Sequence, residues 1–379
     1  MAKRVLVVAG EASGDLRGAE LVAALRTLVP DVEVFGVGGE HLRSAGVEIL
    51  VDAAELSTMG FTELFSRAGA ILTSFRTVRD AIDGRAGRPR PDLVILIDFP
   101  DFNLRLAKVA KQAGVPVLYY VAPQVWAWRR YRVKQLARRV DRLAVVFPFE
   151  EEIYRGLTRV DFVGHPALET VRATRSAEET RAKYGLPPGY PLVTLLPGSR
   201  AAEVESLLPT MFRAIDVLRG TVEVDVAVAL AHERLRRLVE PISGRTPVVS
   251  GDTYNLIAAA DLVLCASGSA TLETALLERP MVLMYRLSPL TYALARLLVR
   301  VPFIGMPNLI LGKRAVPELV QGEVRPSRIA AEARAILCDP ARAAAMRADL
   351  ATVRARLGEP GAARRAAEIA AEMLDATAA

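Results

Sequence analysis

The sequence predicts an α/β protein built from two doubly wound domains and a helical C-terminal tail. The chain has 379 residues, beyond the length at which one hydrophobic core usually divides. Short apolar runs alternate with segments of helical periodicity up to residue 166, and the same alternation restarts after the polar stretch 167–190. Residues 325–379 are rich in Ala, Arg and Glu and contain no strand pattern, which predicts the tail.

The first half of the chain opens with a strand at "RVLVVAG" and a helix at "DLRGAELVAALRTL". Further strands are predicted within "VEVFGVGG", "LVILIDFPDFN", "VPVLYYVAP", "RLAVVFPF" and "VDFVGHP", with helices at "LRLAKVAKQAG" and "RRYRVKQLARR". These strands are continuous apolar runs, as expected for strands that are buried on both faces. They therefore indicate a parallel sheet covered by helices on each side.

The second half repeats this order of elements without repeating the sequence. Its predicted strands are "LVTLLPG", "VEVDVAVAL", "TPVVSG", "DLVLCASG" and "PMVLMYR", each followed by a helical segment. We expect an N-terminal domain at 1–166, a C-terminal domain at 167–345 facing it, and a tail at 346–379 that packs on the N-terminal domain or on a partner subunit. Ligands of such sheets collect at the carboxyl ends of the strands, so the loops there are the candidate sites.

Composition restricts the class of protein only loosely. Apolar residues make up 51% and charged residues 24%, a normal globular balance. A net charge of +6 suits nucleic acid, an anionic membrane or phosphorylated ligands, although a scattered basic surface explains it equally well. Cys265 and Cys338 lack the spacing of a disulfide framework or a zinc site. The N-terminal apolar run is too short for a signal peptide, and no uncharged run is long enough to predict a spanning helix.

Two carboxylates follow predicted strands of the first half, Glu11 in "AGEASGDL" and Asp98 in "IDFPDFN". Asp98 comes after five apolar residues, where the strand emerges from the sheet, and a carboxylate there can accept a proton from a hydroxyl. The alternative for Asp98 is capping of the next helix, a role for which Asp101 and Asn103 also compete. For Asp15 the alternative is that Ser13 caps the following helix and Asp15 favours the positive end of that same helix.

Two helix starts in the second half predict anion sites. Gly198 and Ser199 follow the strand "LVTLL" and present backbone N–H groups, and Arg200 adds a guanidinium. This turn predicts a diphosphate site, although it has no Walker sequence. In "ASGSATLE", Glu273 lies in the first turn of a helix, where it either accepts hydrogen bonds from ribose hydroxyls or complements the helix dipole. The residues at this second helix start are Ser267, Gly268 and Ser269.

Two segments combine apolar and basic residues. "VAPQVWAWRRYR" contains both tryptophans beside arginines, which suits nucleic acid, acyl chains, a sugar face or plain core packing. "STMGFTELFSRAGAILTSF" has an apolar stripe near helical spacing, with Arg67 and Arg76 interspersed, which suits either an anionic membrane interface or packing on the first sheet. The apolar members of the stripe are Met59, Phe61, Leu64, Phe65, Ile71, Leu72 and Phe75.

The order of these motifs resembles one family. "VAGEASGD", "STMGFTELF", "IDFPDFN", "YYVAPQVWAWR", "VGHP", "LLPGSRAAEVE", "ASGSATLE", "MPNLILG" and "PELVQ" follow one another as in the lipid-A-disaccharide synthases, from residue 4 to about residue 322. Each motif alone is weak, whereas the ordered set is specific. The resemblance implies the glycosyltransferase-B architecture, with Asp98 as general base and Glu11 in the matching first loop. It also implies nucleotide contacts from Arg200, Ser267, Gly268, Glu273 and Asn308.

The resemblance also implies a reaction and its surroundings. An inverting transferase of this family joins UDP-2,3-diacylglucosamine to 2,3-diacylglucosamine 1-phosphate (lipid X) through a β-1,6 bond and releases UDP. Such an enzyme would be cytoplasmic and peripheral on the anionic inner membrane, with a homodimer as a candidate assembly and without a nucleic-acid partner. No Asp-x-Asp pair stands beside the diphosphate turn. We therefore expect no metal and no cofactor, with the charge of the leaving group stabilised by Arg200 and helix dipoles, and activity that survives EDTA.

Two other functions compete with this one. A non-hydrolysing UDP-sugar 2-epimerase shares the two-domain architecture but should lack the apolar surface of "MGFTELF". A basic nucleic-acid-binding protein built around "WAWRRYR" would bind with a steep salt dependence. The second alternative leaves the Pro-Gly-Ser-Arg turn unexplained.

Overall fold

The computed structural model describes residues 2–57, 64–85, 87, 89–125, 131–288, 291–293, 296, 299 and 301–376. The chain forms two compact units, Met1–Pro166 with Gly358–Ala379 and Ala167–Leu357. Each unit is built around one parallel sheet with flanking helices. The predicted fold class, two doubly wound α/β domains with a helical C-terminal segment, is confirmed.

The first unit contains a seven-stranded sheet in the order β3-β2-β1-β4-β5-β6-β7. Its strands are β1 (Arg4–Ala9), β2 (Glu33–Gly38), β3 (Glu48–Asp52), β4 (Leu93–Ile97), β5 (Val117–Tyr120), β6 (Arg142–Val145) and β7 (Arg159–Phe162). Its helices are Ala12–Leu28, Glu40–Ser44, Ala53–Ser57, Leu64–Ile82, Pro100–Gln112, Tyr131–Ala137, Pro148–Tyr154 and Ala362–Ala376. Every residue of the central strands β4 and β5 is buried, as their apolar composition predicts.

The second unit contains a six-stranded sheet in the order β10-β9-β8-β11-β12-β13. Its strands are β8 (Leu192–Leu196), β9 (Asp225–Leu230), β10 (Val248–Ser250), β11 (Leu262–Ala266), β12 (Met281–Tyr285) and β13 (Glu318–Val320). Its α-helices are Ala167–Thr170, Ala177–Lys183, Ala201–Arg219, Arg236–Ser243, Thr253–Ala259, Ser269–Leu276, Met306–Leu311, Pro326–Leu337 and Pro340–Arg356. Short 3-10 turns lie at Glu233–Leu235 and Gln321–Glu323.

Two strands were missed by the sequence interpretation, β3 and β13, and both lie at a sheet edge. Only Val51 is fully buried in β3, and β13 has three residues, the first of them Glu318. Both strands are short and contain acidic residues, so neither shows the long apolar run by which the central strands were recognised.

The C-terminal tail divides between the two units. The helix Pro340–Arg356 belongs to the second unit, where the backbone N–H of Met281 lies 3.4 Å from the sulfur of Met346. The chain enters the first unit between Leu357 and Gly358, later than the expected boundary at residue 345. There the last helix packs along Ala12–Leu28, and the Lys3 ammonium donates to the carbonyl of Leu374 at 2.8 Å.

In both sheets the strand order reverses beside the first strand of the unit. β1 lies between β2 and β4, and β8 lies between β9 and β11. Loops that leave the carboxyl ends of β1 and β4 therefore diverge to opposite faces of the first sheet, and those of β8 and β11 do the same in the second. Each pair leaves a crevice beyond the carboxyl ends of its strands. Every candidate loop with a predicted carboxylate or anion role starts at one of these four strand ends.

Candidate active site

Two carboxylates meet at the switch point of the first sheet. The last paired residues of β1 and β4 are Ala9 and Ile97; Asp98 follows Ile97 directly, and Glu11 follows Ala9 after one intervening glycine. Burial raises the pKa of Asp98 from 3.8 to about 6, and the negative charge of Glu11 contributes to this rise. The structure therefore brings together the two side chains that were singled out from separate loops.

The backbone at Asp98 adopts a conformation that L-residues avoid. Asp98 has φ 45° and Phe99 has φ 49°, both in the left-handed region. Each such residue costs about 1–3 kcal/mol, and strain of this kind is concentrated at functional sites. The helix Pro100–Gln112 begins after Phe99 without a side-chain cap, so helix capping does not explain Asp98.

The carbonyl of Asp98 is held by two buried side chains. The Tyr119 hydroxyl donates to it at 2.5 Å, and the Asn103 amide donates to it at 2.8 Å. Neither competitor for the cap of this helix fills that role. Asn103 faces the strand ends, and Asp101 is exposed and pairs with Arg132 at 2.7 Å.

The two loops of the carboxylate pair are also packed against each other. The ring of Phe99 lies over Gly10, where a Cβ would stand 2.3 Å from Phe99 Cδ1. Phe102 packs on Phe99 at a ring-centroid distance of 5.5 Å, and Phe75 packs edge-on against Phe102 at 5.7 Å. Only glycine at position 10 allows this close approach, so the small residue serves packing of the loop.

Asp15 has a structural role. This carboxylate is 3% exposed and accepts hydrogen bonds from the backbone N–H groups of Gly39, His41 and Leu42 at 2.6, 2.9 and 3.2 Å. These groups open the short helix Glu40–Ser44, so Asp15 stabilises the N-terminus of a neighbouring helix. Asp15 does lie in the first turn of its own helix, as expected, but its hydrogen bonds go to the start of the neighbouring helix, which the sequence did not indicate.

A first prediction concerns the charge of Glu11. Glu11→Gln removes the negative charge that helps to raise the pKa of Asp98, so that pKa should fall while remaining above 3.8 because burial persists. If the ionised form of Asp98 is the active form, turnover is lost as pH falls through this pKa, and the acid limb of the kcat profile should move to lower pH. A profile of kcat against pH between 4 and 9 measures the limb. An acid limb that stays in place or rises would contradict the coupling.

The Pro-Gly-Ser-Arg turn forms an anion position that the chain itself fills. Gly198 has φ 117°, which lets the backbone fold over the start of the helix Ala201–Arg219. The N–H groups of Ser199 and Arg200 donate to the Glu203 carboxylate at 2.9 and 3.2 Å. A diphosphate at this turn must therefore displace the Glu203 carboxylate or bind beside it.

Arg200 is the most accessible cation of this turn. Its side chain is 82% exposed and lies 3.3 Å from Glu203 Oε1, a surface contact that holds it weakly. Tyr285 ends the strand β12, and its pKa is raised by burial and by the charge of Glu203 and lowered by Arg200. Tyr285 therefore lies within electrostatic range of the turn.

The second predicted helix start lies after β11. Gly268 and Ser269 are exposed and open the helix Ser269–Leu276, and Ser267 is partly exposed. Burial raises the pKa of Glu273, and a hydrogen bond from Ser269 partly offsets the rise. Glu273 is thus half-buried on the side of its helix near Cys265. It is the fifth residue of the helix Ser269–Leu276, so the prediction that it lies in the first turn is wrong.

Asn308 is fully engaged within the chain. Its amide nitrogen donates to the Val316 carbonyl and to Glu318 Oε1 at 2.9 and 2.8 Å. Its oxygen accepts from the N–H groups of Ala315 and Val316 at 2.7 and 2.9 Å. All four hydrogen-bonding positions of the amide are used, so a nucleotide contact by this side chain requires one of these bonds to break. The nucleotide role of Asn308 stays a prediction.

The predicted apolar stripe is described only in part. Met59 and Phe61 lie outside the described residues, and so do both tryptophans. Leu64 and Phe65 begin the helix Leu64–Ile82 and are described by their backbone alone. Leu72 is 52% exposed, whereas Phe75 is half-buried against Phe102. Packing accounts for Phe75, whereas Leu72 faces solvent and Ile71 is partly exposed.

Two further features concern the described part of the chain. No helix there is long and apolar enough to cross a bilayer. No group of three or more His, Cys, Asp or Glu side chains there is placed to hold a metal ion.

Sequence reasoning missed three residues that shape these loops, Asn103, Tyr119 and Glu203. Asn103 was considered only as a helix cap, Tyr119 is one of two tyrosines inside an apolar strand, and Glu203 lies on the helix after the Pro-Gly-Ser-Arg turn. The sequence does carry one signal, because a Glu at the third helical position commonly reaches back to the N-cap N–H. The roles of Asn103 and Tyr119 depend on strand register, which no local pattern reveals.

Several solved structures share this fold, among them a glycosyltransferase and an epimerase. The glycosyltransferase of kitacinnamycin is 14% identical, with 99% of this chain and 100% of that chain covered and a TM-score of 0.62. The UDP-GlcNAc 2-epimerase from Neisseria meningitidis bound to UDP-GlcNAc is 12% identical, with 98% and 100% covered and a TM-score of 0.61. At these identities the likeness concerns the fold alone.

Glycosyltransferases and an epimerase share this fold of two Rossmann-like domains, and the family match places this protein among the glycosyltransferases. The profile of the family described as lipid-A-disaccharide synthetase matches residues 5–373. The lipid-A-disaccharide synthase of Syntrophus aciditrophicus (strain SB) is 45% identical, with 98% of each chain covered. That of Myxococcus xanthus (strain DK1622) is 46% identical, with 98% of this chain and 97% of the relative covered. The chain belongs to the lipid-A-disaccharide synthase family.

Family membership decides between the functions that the sequence left open. A UDP-sugar 2-epimerase shares the fold, but the profile and the relatives that cover nearly the whole chain are those of the synthases. The same matches do not favour a nucleic-acid-binding protein. The family implies a UDP-sugar donor and a lipid acceptor.

Proposed function

We propose that this protein transfers 2,3-diacylglucosamine from UDP-2,3-diacylglucosamine to 2,3-diacylglucosamine 1-phosphate (lipid X), in lipid A biosynthesis. The products are the β-1,6-linked disaccharide 1-phosphate and UDP. The observation that carries the proposal is Asp98, a carboxylate with a raised pKa at the switch point of the first sheet, in a chain that belongs to this family.

In the proposed step, Asp98 accepts the proton of the acceptor 6-hydroxyl as the oxygen attacks the anomeric carbon of the donor. The bond from that carbon to the UDP oxygen breaks on the opposite side, which inverts the configuration and needs no covalent enzyme intermediate. A pKa of about 6 suits this role, because the group is mostly ionised at neutral pH and still basic enough to take a proton. Glu11 keeps the Asp98 pKa high by its charge.

The leaving UDP is assigned to the second unit. One further negative charge develops on the diphosphate as this bond breaks, and the helix start at Ser199 together with the exposed Arg200 offers positive potential for it. The second helix start, with Ser267, Gly268 and Ser269, is the candidate for the rest of the nucleotide, and Glu273 for the ribose hydroxyls. Side chains of this chain suffice for the step, so we propose that no metal or cofactor takes part.

The acyl chains of both substrates anchor them in a bilayer, so we further propose that the protein works as a peripheral protein on the cytoplasmic face of the anionic inner membrane, with a homodimer as the candidate assembly. Support comes from the helix Leu64–Ile82, where Leu72 is 52% exposed near Arg76, which is also exposed. An exposed apolar residue beside a cation suits the interface of an anionic leaflet.

A second prediction separates docking from packing on this helix. Leu72→Ser should leave the melting temperature unchanged and reduce co-sedimentation with anionic vesicles, because Leu72 is exposed. The matched variant Phe75→Ser removes a ring that packs on Phe102 and should lower the free energy of unfolding by about 2–4 kcal/mol. A Leu72→Ser protein that binds vesicles as well as the parent would remove Leu72 from the membrane contact.

The reaction itself is tested with purified protein, UDP-2,3-diacylglucosamine and lipid X. Mass spectrometry should detect the tetraacyl disaccharide 1-phosphate, and the release of UDP should match it mole for mole. Turnover should persist in excess EDTA. Formation of a free sugar, a 2-epimer or no product would reject the proposed reaction, and a loss of turnover that magnesium or manganese restores would reject its metal-free form.

A further inference from the structure

We infer that Asn103 and Tyr119 are positioning residues for Asp98. They hold its left-handed backbone so that the carboxylate stays at the carboxyl end of β4, beside Glu11. This inference rests on the proposed role of Asp98 as the base. It assigns a positioning role to two side chains that are fully buried.

Both side chains act on the same atom, the carbonyl oxygen of Asp98. Tyr119 reaches it from the adjacent strand β5, and Asn103 reaches it from the first turn of the following helix. Tyr119 and Asn103 are both 0% exposed, so water does not compete for these bonds. Two donors from different elements thus fix one carbonyl, which fixes the peptide plane between Asp98 and Phe99.

The orientation of the Asn103 amide follows from its surroundings. Its nitrogen lies 3.1 Å from the Ile97 carbonyl and 3.5 Å from the Val8 carbonyl, in addition to the Asp98 carbonyl. All three groups are acceptors, so only the NH2 end of the amide can face them. Asn103 therefore ties together the carboxyl ends of β1 and β4, the two strands that deliver Glu11 and Asp98.

The positions of these donors explain why the strained turn persists. Asp98 and Phe99 are consecutive non-glycine residues with positive φ, a conformation that holds only when its surroundings over-determine it. The ring of Phe99, seated over Gly10, closes the turn from the other side. If either donor is lost, Asp98 can relax toward an ordinary conformation, and a change in its φ swings its carboxylate away from Glu11.

The decisive variant is Tyr119→Phe, which deletes one hydroxyl and keeps the ring. A shift of the base by about 1 Å costs up to roughly a hundredfold in rate, so kcat at pH 8 should fall about ten- to a hundredfold with the KM of both substrates little changed. The acid limb of the kcat profile should also move to lower pH, because the relaxed carboxylate leaves its buried position beside Glu11. The other titratable groups near Tyr119 are Asp101, which is exposed, and Tyr154, which is uncharged across this pH range because burial raises its pKa.

Tyr154→Phe is the matched control. Tyr154 is also 0% exposed in the first unit, and its hydroxyl has no hydrogen-bond partner among the described residues. This variant should keep kcat and the acid limb of the parent. Asn103→Leu is a second test of the same carbonyl and should repeat the effects of Tyr119→Phe; if it fails to fold, Tyr119→Phe alone decides.

A double variant separates this inference from the role of Asp98. In an Asp98→Asn background, Tyr119→Phe should cause no further loss of kcat, because the group that it positions is no longer a base. If Asp98→Asn keeps normal turnover, the proposed base is wrong. If Asp98→Asn is inactive while Tyr119→Phe keeps kcat and the acid limb, or merely lowers the melting temperature, the base stands and the positioning role is overturned.

Discussion

Asp98→Asn is expected to lower turnover by about two to four orders of magnitude, the range for loss of a positioned general base. The amide keeps the shape of the side chain but cannot accept the proton of the acceptor hydroxyl. Because the substrates' binding groups remain, the loss should appear in kcat rather than in KM. Single-turnover kinetics with purified protein would measure it.

The same variant should be more stable than the parent at pH 8. The pKa of Asp98 is raised in the folded state, from 3.8 to about 6, so the ionised group opposes folding above pH 6 and this cost disappears as pH falls toward 3.8. At about 1.4 kcal/mol per pKa unit, the neutral amide could recover up to about 3 kcal/mol, and less where solvent screens the charge. Chemical denaturation at pH 8 and at pH 4 should show the gain at pH 8 only.

Asp101→Asn provides the matched control, since it makes the same change three residues away on an exposed side chain that pairs with Arg132. It should keep turnover within a few-fold of the parent. A folded Asp98→Asn protein with near-normal turnover would remove Asp98 from the reaction. An equal loss in both variants would point to a general effect of charge in this loop.

Arg200→Ala is expected to weaken UDP binding by about 1.5–3 kcal/mol, the scale of a charge-assisted hydrogen bond. This corresponds to roughly ten- to 150-fold in Kd, at about 1.4 kcal/mol per factor of ten. Stability should hardly change, because the side chain is 82% exposed. Arg213→Ala, on an exposed position of the same helix, is the control for loss of a nearby positive charge. Calorimetry that finds unchanged UDP affinity in Arg200→Ala would exclude Arg200 from the nucleotide site.

Glu203→Ala should have the opposite effect on the affinity for UDP. Its carboxylate occupies the N–H groups of Ser199 and Arg200 that a diphosphate would use, so its removal should tighten UDP binding. The same change deletes hydrogen bonds at a helix start and should cost about 1 kcal/mol of stability. If Glu203→Ala weakens UDP binding instead, the carboxylate takes part in the nucleotide site rather than competing with the nucleotide.

Candidate site positions were predictable from sequence wherever a local signal exists. Asp98 was singled out because it follows five apolar residues, and the Pro-Gly-Ser-Arg turn because Gly198 and Ser199 stand between a strand and a helix. Asp15 was expected to favour the N-terminus of its own helix, because no local signal indicates a partner in another helix. The structure shows the neighbouring helix, through three backbone N–H groups more than twenty residues away.

The apolar stripe shows where periodicity stops being informative. Leu72 and Phe75 are three residues apart and lie on neighbouring parts of one helix surface. One is exposed and the other packs on Phe102, which belongs to a helix that begins after β4. A pattern of apolar residues does not state which of them find a partner, because the partner comes from a distant part of the chain.

The sequence by itself determined the two doubly wound domains, the helical tail, the loops that carry the polar residues and, through the order of its motifs, the family. These properties follow from hydrophobic periodicity and turn chemistry, which act over a few residues at a time. Only the tertiary structure decided the raised pKa of Asp98, the two donors on its carbonyl and the occupation of the anion turn by Glu203. The pKa of Asp98 and the two donors on its carbonyl depend on burial and on the parallel register that places β1, β4 and β5 side by side. The occupation of the anion turn depends on how the side chain of Glu203 folds back over that turn. Those contacts join residues that local sequence patterns cannot pair.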